Sequence, residues 1–269
     1  MIGKQILVFA LAALFFIIPA SICAEQPNEL TVFSAASLTD AFGEVGQMYE
    51  NETHTHVAFN FDGSQTLATQ IMNGAYADVF ISANNKQMDI IKDAGRMNDS
   101  SIVILTENKL CLIVPKNNPG KIGSLKDLAK PGVKIFIGAK DVPVGDYALQ
   151  IIDKLGNDSA FGSGYKNKVL ENIVSQETNV NYVATKVALG EADAGFAYAS
   201  DTTGDLASKV DTIDIPDKYN VVAQYFIGVL KDSKRPAESE KFVELATSDA
   251  GKSILEKHGF SPVEGAAAK

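Results

Sequence analysis

The chain has 269 residues, of which 46% are apolar, 8% aromatic and 21% charged, a composition typical of a globular protein rather than a disordered or fibrous one. With 33 acidic and 24 basic residues its formal net charge is −9, which repels phosphate backbones and argues against nucleic acid as a partner. The two cysteines, Cys23 and Cys111, match no metal-binding motif and are too few for a disulfide scaffold.

The first 24 residues are typical of a secretory signal peptide. Lys4 precedes an apolar core at residues 6–18, and Ala24 ends a segment suited to cleavage. The core is shorter than the roughly 20 residues of a spanning helix, which disfavours the alternative of a permanent membrane anchor. Cys23 as a lipid-modified first residue is a further alternative, although the residue before it fits poorly. Cleavage after Ala24 predicts an exported, acidic and soluble chain with one thiol.

Strand and helix patterns alternate after the signal peptide. Short apolar runs rich in β-branched or aromatic residues predict strands at residues 30–33, 56–61 and 77–82. Each run is followed by a stretch with helical periodicity. These predicted helices span residues 38–49, 66–73 and 85–94. The alternation predicts parallel sheets covered by helices, and therefore an α/β fold.

The second half of the chain has the same organisation. Apolar runs at residues 133–138, 168–174 and 194–198 are interleaved with a helical stretch that runs toward Leu155 and another at residues 181–189. The sequence contains no internal repeat and no low-complexity segment. We therefore expect a second α/β unit.

Two longer apolar runs, at residues 109–114 and 225–230, suit long buried strands that cross between two lobes. With these crossings, the first lobe is discontinuous and comprises residues 25–108 and 231–269. The second lobe comprises residues 109–230 and includes both crossings. A ligand would then bind between the lobes.

The segment between the first predicted strand and helix offers hydrogen-bond donors to an anion. Ser37 is predicted to be the N-cap of the helix, with Asp40 three residues on as in a variant capping box. The free amides and the positive dipole end at a helix start bind anions. The small residues Ala35 and Ala36 leave the backbone accessible. An ordinary helix cap is the alternative interpretation.

Four further features could converge on the same cleft. Ser64 follows a permissive glycine and is predicted to cap the next helix. Val144 offers its backbone N–H at another helix start, and Val180 does so at a third. Tyr198 ends a predicted strand, and ligands of open α/β sheets bind at the carboxyl ends of strands. These positions predict an anion site built from neutral donors.

Motifs for other chemistries are weaker. The three histidines, His54, His56 and His258, lack the spacing of a zinc site. No G-x-S-x-G nucleophile elbow is present, so a hydrolase with Ser37 or Ser64 as nucleophile remains only an alternative. The sequence predicts no catalytic residue, no metal ligand and no cofactor.

Five segments together resemble the substrate-binding proteins of molybdate ABC importers, and the resemblance covers essentially the whole chain after the signal peptide. They are TVFSAASLT at 31–39, GSQTLATQI at 63–71, ADVFISA at 77–83, VPVGDYA at 142–148 and GFAYASD at 195–201. The resemblance implies a two-lobed periplasmic-binding-protein fold (type II). In that fold each lobe is a mostly parallel sheet flanked by helices, and two crossing strands form the hinge.

The resemblance also implies the ligand and the residues that hold it. Molybdate or tungstate would accept hydrogen bonds from the hydroxyls of Ser37, Ser64 and Tyr198 and from the amides of Val144 and Val180. The metal would be held only through its oxygens, without direct protein ligands. The family implies a monomeric receptor, not an enzyme, in the periplasm or at the outer face of the cytoplasmic membrane. Its partner would be an ABC permease with a cytoplasmic ATPase.

The donor set also bears on selectivity among oxyanions. A site with no acceptor disfavours protonated phosphate, whose O–H would lose its partner at a cost of roughly 1 to 3 kcal/mol. Sulfate carries no such proton, so size must separate it from molybdate, and a receptor for sulfate or phosphate is the alternative. Asp62, two residues before Ser64, would repel an anion if it faced the cleft. We expect it to face solvent or a helix amide instead.

Overall fold

The computed structural model describes residues 28–263. The predicted signal peptide at residues 1–24, with Cys23, lies outside the described residues, as do residues 264–269. None of the helices formed by residues 28–263 has the length and apolar character needed to cross a membrane.

Strands and helices alternate through residues 28–263. The strands in this range are β1 (Glu29–Ala35), β2 (His56–Asp62), β3 (Val79–Ser82), β4 (Val103–Pro115), β5 (Ile135–Gly138), β6 (Ile173–Glu177), β7 (Ala194–Tyr198), β8 (Val210–Asp214) and β9 (Val222–Val229). The α-helices there are α1 (Thr39–Thr53), α2 (Ser64–Met72), α3 (Asn85–Asp93), α4 (Pro143–Asn157), α5 (Tyr165–Glu171), α6 (Val180–Ala188), α7 (Pro236–Thr247) and α8 (Asp249–Lys257).

These strands form one mixed sheet in the order β2-β1-β3-β9-β4-β7-β5-β6, with β8 paired to β4. In the first half of the sheet, β1 lies between β2 and β3 and is parallel to both. In the second half, β5 lies between β6 and β7 and is again parallel to both. The predicted α/β class and the parallel pairing within each half are confirmed.

Strand β4 belongs to both halves of the sheet. Its residues 103–109 pair antiparallel with β9, and its residues 110–115 pair with β7 and β8. Strand β9 in turn pairs antiparallel with β3. The two predicted crossing runs thus lie in β4 and β9, side by side at the centre of the sheet. The lobe boundaries that we derive from them stay a prediction.

Alternation along β1 explains why the first half is covered by helices on both faces. Leu30 and Val32 point into one core, where Phe42 of α1 is fully buried. Phe33 points to the opposite face and packs in a second core that contains Leu67 of α2. Because a strand directs successive side chains to opposite faces, one apolar run supplies both cores.

The apolar run at residues 168–174 is divided between two elements. Residues 168–171 complete α5, and the following strand β6 begins only at Ile173. Tyr165 and Val169 are spaced four residues apart and both are buried, which places them on one face of a helix. The buried face explains why α5 continues through residues 168–171, for which the sequence analysis predicts a strand.

Candidate functional site

A small cavity lies where the ends of β1 and β7 meet the first turns of α2, α4 and α6. All five predicted site residues line it, namely Ser37, Ser64, Val144, Val180 and Tyr198. The cavity volume is about 20 Å³, against the roughly 10 to 15 Å³ that one water needs. The cavity therefore suits an ion of a few atoms. That these residues bind it stays a prediction.

Ser37 lies in a 3-10 turn, Ala36–Leu38, between β1 and α1. The prediction that it caps α1 is wrong, because the turn delays the helix and Leu38 becomes an N-cap without a side-chain bond. The Ser37 hydroxyl is instead 2.9 Å from the hydroxyl of Tyr225. Ser37 therefore does not cap a helix, and it lines the cavity.

Ser64 is the first residue of α2, and the prediction that it caps this helix is also wrong. The N-cap is Gly63, and no side chain caps the helix there. The Ser64 oxygen accepts a 3.0 Å hydrogen bond from the amide of Ala83, and Ser64 is only 1% exposed. Because that bond uses only the oxygen, the hydroxyl proton of Ser64 is available to a ligand.

A glycine before Ser64 is required by close packing. A Cβ added at Gly63 would lie 2.3 Å from the carbonyl oxygen of Thr178, well inside van der Waals contact. The absence of a side chain lets the β2 to α2 turn approach the loop before α6. Gly63 thus brings two helix starts to one cavity.

Val144 and Val180 contribute backbone amides. Val144 is the second residue of α4, which begins at Pro143, and Val180 is the first residue of α6. Amides in the first turn of a helix have no partner within that helix. Three helix N-termini, those of α2, α4 and α6, therefore present free N–H groups and positive partial charge to the cavity.

Tyr198 is the last residue of β7 and is 1% exposed. Its hydroxyl has no hydrogen-bond partner among the described residues. Burial raises the pKa of Tyr198 well above its usual value, so the phenol keeps its proton at physiological pH. A buried donor without a partner costs roughly 1 to 3 kcal/mol, and a ligand that accepts its hydrogen bond would remove that cost.

The cavity lining contains no charged side chain among residues 28–263. Asp62 is not among the lining residues, and its Oδ1 accepts from the amide of Gly63 at 2.7 Å and from Nδ2 of Asn179 at 2.9 Å. Elsewhere in that range, no cluster of His, Cys, Asp and Glu side chains could hold a metal ion. The cavity therefore offers uncharged hydrogen-bond donors, which suit a ligand that accepts hydrogen bonds.

Two residues next to the cavity are absent from the sequence-based prediction. Asn179 caps α6, with Oδ1 accepting from the amide of Tyr182 at 3.2 Å, and an Asn before a helical pattern is a known capping signal. Tyr225 contacts Ser37 across 188 positions in the chain. No local pattern reveals such a contact.

Comparison with known proteins identifies the class. Residues 30–261 match the family model described as bacterial extracellular solute-binding protein, and the chain belongs to this family. Within the family it is similar to the molybdate-binding protein ModA of Mycobacterium tuberculosis. The two are 37% identical over 235 residues, which is 87% of this chain and 85% of the relative.

Solved structures give the same picture. A substrate-binding domain from Clostridium difficile, assigned to a molybdenum ABC transporter, is 30% identical with a TM-score of 0.65 and covers 88% of this chain and 99% of its own. The periplasmic molybdate-binding protein of Azotobacter vinelandii has a TM-score of 0.75 at 23% identity, covering 87% and 100%. The sulfate-binding protein SubI of Mycobacterium tuberculosis reaches 0.77 at 16% identity, with 88% of both chains covered. The last two show the shared fold alone.

Proposed function

We propose that the protein is a receptor that captures molybdate outside the cytoplasm and delivers it to an ABC importer. The ligand would lie in the cavity and accept hydrogen bonds from Ser37, Ser64 and Tyr198 and from the amides of Val144 and Val180. One observation carries the proposal: Tyr198 is a buried hydroxyl donor without a partner among residues 28–263, and it lines a cavity together with the two serines and the helix starts at Val144 and Val180. A small anion that only accepts hydrogen bonds satisfies such a site.

The donors favour a fully deprotonated tetrahedral oxyanion. A protonated phosphate would bring an O–H for which the cavity lining offers no carboxylate acceptor, at a cost of roughly 1 to 3 kcal/mol. Sulfate has no such proton but is smaller, so its hydrogen bonds would be longer in a cavity fitted to molybdate. Tungstate is nearly the same size and charge as molybdate, and we propose that it also binds.

Contacts across the cavity support a closed conformation of two lobes. Nε2 of Gln65 donates to the carbonyl oxygen of Thr178 at 2.8 Å, and Nδ2 of Asn181 donates to the carbonyl oxygen of Ala36 at 3.1 Å. Each bond joins the first half of the sheet to the second. We propose that the lobes comprise residues 25–108 with 231–269 and residues 109–230, and that they open about β4 and β9 to admit the ion.

We also propose that the protein acts as a monomer in the periplasm or on the outer face of the membrane. There it would meet a membrane permease coupled to a cytoplasmic ATPase, and the match to a family of extracellular solute-binding proteins supports this location. The environment of the two serines disfavours hydrolysis. Ser37 contacts the phenol of Tyr225, which keeps its own proton because burial raises its pKa, and Ser64 accepts from a backbone amide. Neither partner can take the proton of a serine nucleophile. We therefore propose a binding protein without catalytic activity.

Isothermal titration calorimetry with molybdate, tungstate, sulfate and phosphate tests the proposal. We expect one-site binding of molybdate and tungstate and much weaker or no binding of the other two anions. Binding heat with only sulfate, or with only phosphate, would show that this anion and not molybdate is the ligand. Small-angle scattering of the same samples should show a smaller radius with molybdate if the lobes close.

Thermal melting provides an independent measurement. A ligand that binds only the folded state stabilises it by RT ln(1 + [L]/Kd), which is about 4 kcal/mol at about 1,000 times Kd. Excess molybdate should therefore raise Tm by several degrees, and an equal concentration of chloride should not. An unchanged Tm in excess molybdate would contradict a binding role.

A further inference from the structure

Tyr225 lies directly behind the proposed ligand site without lining it. It belongs to β9, is fully buried, and places its hydroxyl 2.9 Å from that of Ser37. Its ring packs edge to face against Tyr198 and Phe260, with ring centroids 5.9 and 5.4 Å apart. The phenol is thus fixed in position against one of the proposed ligand-binding side chains.

The direction of the Ser37 to Tyr225 hydrogen bond follows from counting protons. Each hydroxyl has one proton and two lone pairs, and an oxyanion can only accept. When Ser37 gives its single proton to a ligand oxygen, the bond behind it can be made only by the proton of Tyr225. Burial raises the pKa of Tyr225 well above its usual value, so that proton is present throughout the physiological range.

We propose that Tyr225 is a positioning residue for the ligand site, which donates to Ser37 and thereby fixes and polarises the hydroxyl that Ser37 presents to the oxyanion. This inference rests on the proposed function. The chain of donors runs from Tyr225 through Ser37 to the ligand, and successive hydrogen bonds of this kind strengthen one another. Tyr225 itself does not touch the ligand, so its effect must pass through Ser37.

A double-mutant cycle measures that dependence. Tyr225→Phe keeps the ring and removes only the hydroxyl, and we expect molybdate affinity to fall about two- to tenfold, the worth of one neutral hydrogen bond. In a Ser37→Ala background the same change should alter affinity less than about twofold, because its target is gone. In a Ser64→Ala background the full loss should remain. A purely structural effect of Tyr225 would be equal in both backgrounds.

A matched control separates affinity from stability. Tyr49 is also fully buried, and its hydroxyl donates to the carbonyl oxygen of Glu238 at 2.9 Å, away from the cavity. Tyr49→Phe should lower Tm without the ligand and leave molybdate affinity unchanged. Equal affinity losses in Tyr49→Phe and Tyr225→Phe would overturn the proposal.

Two substituted phenylalanines keep the test decisive if Tyr225→Phe is unstable. 4-Fluorophenylalanine at position 225 fills the space of the hydroxyl but has no proton, and it should bind molybdate as weakly as Tyr225→Phe. 4-Aminophenylalanine restores a donor at the same point and should recover most of the affinity. Lack of recovery, or wild-type affinity with the fluoro ring, would overturn the role of Tyr225. Failure of the wild-type chain to bind molybdate would instead overturn the proposed function.

Discussion

Asp62 and Asn179 join the two halves of the sheet beside the cavity, with Oδ1 of Asp62 accepting from Nδ2 of Asn179 at 2.9 Å. The same Oδ1 accepts from the amide of Gly63 at 2.7 Å. One carboxylate oxygen therefore holds the start of α2 and the cap of α6 together. This contact explains how an acidic residue can lie near an anion site, because its charge is turned toward donors.

The first prediction concerns this contact. Asp62→Asn keeps an acceptor for Asn179 and removes a negative charge near the ligand, so we expect molybdate affinity within about threefold of the wild type. Asp62→Ala removes the acceptor and should bind at least fivefold more weakly than Asp62→Asn, since a lost hydrogen bond costs about 1 kcal/mol. Calorimetry on both variants measures the difference. Equal affinities would show that the contact does not hold the halves together.

Asp153 provides a control for loss of an acidic side chain. It pairs with Lys166 at 2.6 Å on the surface, and both residues belong to the second half of the fold. Exposed pairs of this kind contribute little to stability. Asp153→Ala should therefore leave molybdate affinity unchanged.

The second prediction concerns the two serines. A hydrogen bond to a charged partner is worth roughly 1.5 to 3 kcal/mol, so Ser37→Ala and Ser64→Ala should each weaken molybdate binding about ten- to one-hundredfold. Neither serine caps a helix, but Ser64→Ala leaves the amide of Ala83 without its acceptor and Ser37→Ala removes the partner of Tyr225. The ligand-free Tm should therefore fall in both variants, and affinity is compared at a temperature where both are folded. If both variants bind within about twofold of the wild type, the proposed site is wrong.

The third prediction separates binding from stability at Tyr198. Because its hydroxyl has no partner among the described residues, Tyr198→Phe should leave the free energy of unfolding of the ligand-free protein unchanged or higher. Molybdate affinity should nevertheless fall at least tenfold. Chemical denaturation and calorimetry on one preparation give both values. A stability loss like that of Tyr49→Phe would mean that Tyr198 has a protein partner.

The fourth prediction concerns the backbone donor at Val180. Proline removes the N–H yet is tolerated at the first position of a helix, so Val180→Pro should fold and bind molybdate at least tenfold more weakly. Val180→Ala keeps the amide and should bind within about threefold of the wild type. Asp249, the first residue of α8, supplies the control, and Asp249→Pro should not affect affinity. Equal binding by Val180→Pro and Val180→Ala would exclude this amide from the site.

The fifth prediction concerns pH. Burial raises the pKa of Asp201 to about 7, and the charge of Asp40 acts in the same direction. Between about pH 4 and 7 the folded state therefore binds more protons than the unfolded state, and the free energy of unfolding falls as pH rises. Asp201→Asn can still accept from the amide of Tyr198, as Asp201 does at 2.8 Å.

We expect Asp201→Asn to be more stable than the wild type by roughly 1 to 3 kcal/mol at pH 8, with most of this difference gone at pH 4. Urea denaturation of both proteins across this range measures it. A difference that is constant with pH would show that Asp201 does not titrate in the window.

The sequence predicts most strands well where burial is on both faces. Each predicted strand of the first half overlaps an observed one because its apolar run is continuous or alternates with a clear period. Strand β4 is predicted less well, since it begins at Val103 and not near residue 109, and β8 at Val210–Asp214 has no predicted counterpart. The polar residues Glu107 and Asn108 interrupt the apolar pattern in the first half of β4, so the sequence does not indicate a strand there. Both side chains are nevertheless buried, and Glu107 accepts a 3.0 Å hydrogen bond from Gln224 of β9.

The five predicted site residues line one cavity, but the sequence assigns two of them the wrong local role. Serine is a preferred N-cap residue, which is why the sequence predicts that Ser37 and Ser64 cap helices. That preference does not reveal the 3-10 turn that makes α1 begin later, or that Gly63 takes the N-cap position of α2. The partner of Ser37 is Tyr225, 188 positions away, and only the pairing of β9 at the centre of the sheet brings it there. Long-range contacts of this kind depend on topology, which periodicity does not encode.

The unpartnered hydroxyl of Tyr198 also bears on transport when no ion is bound. In the closed molecule without an ion, the cavity has room for one water, and a neutral hydrogen bond to that water is weaker than one to a charged oxygen by about 1 kcal/mol. The ion therefore favours the closed state about fivefold more than water does through this one donor. Under the proposed function, an importer that docks only the closed shape would meet fewer unloaded receptors. A single phenol proton would thereby limit futile rounds of ATP hydrolysis.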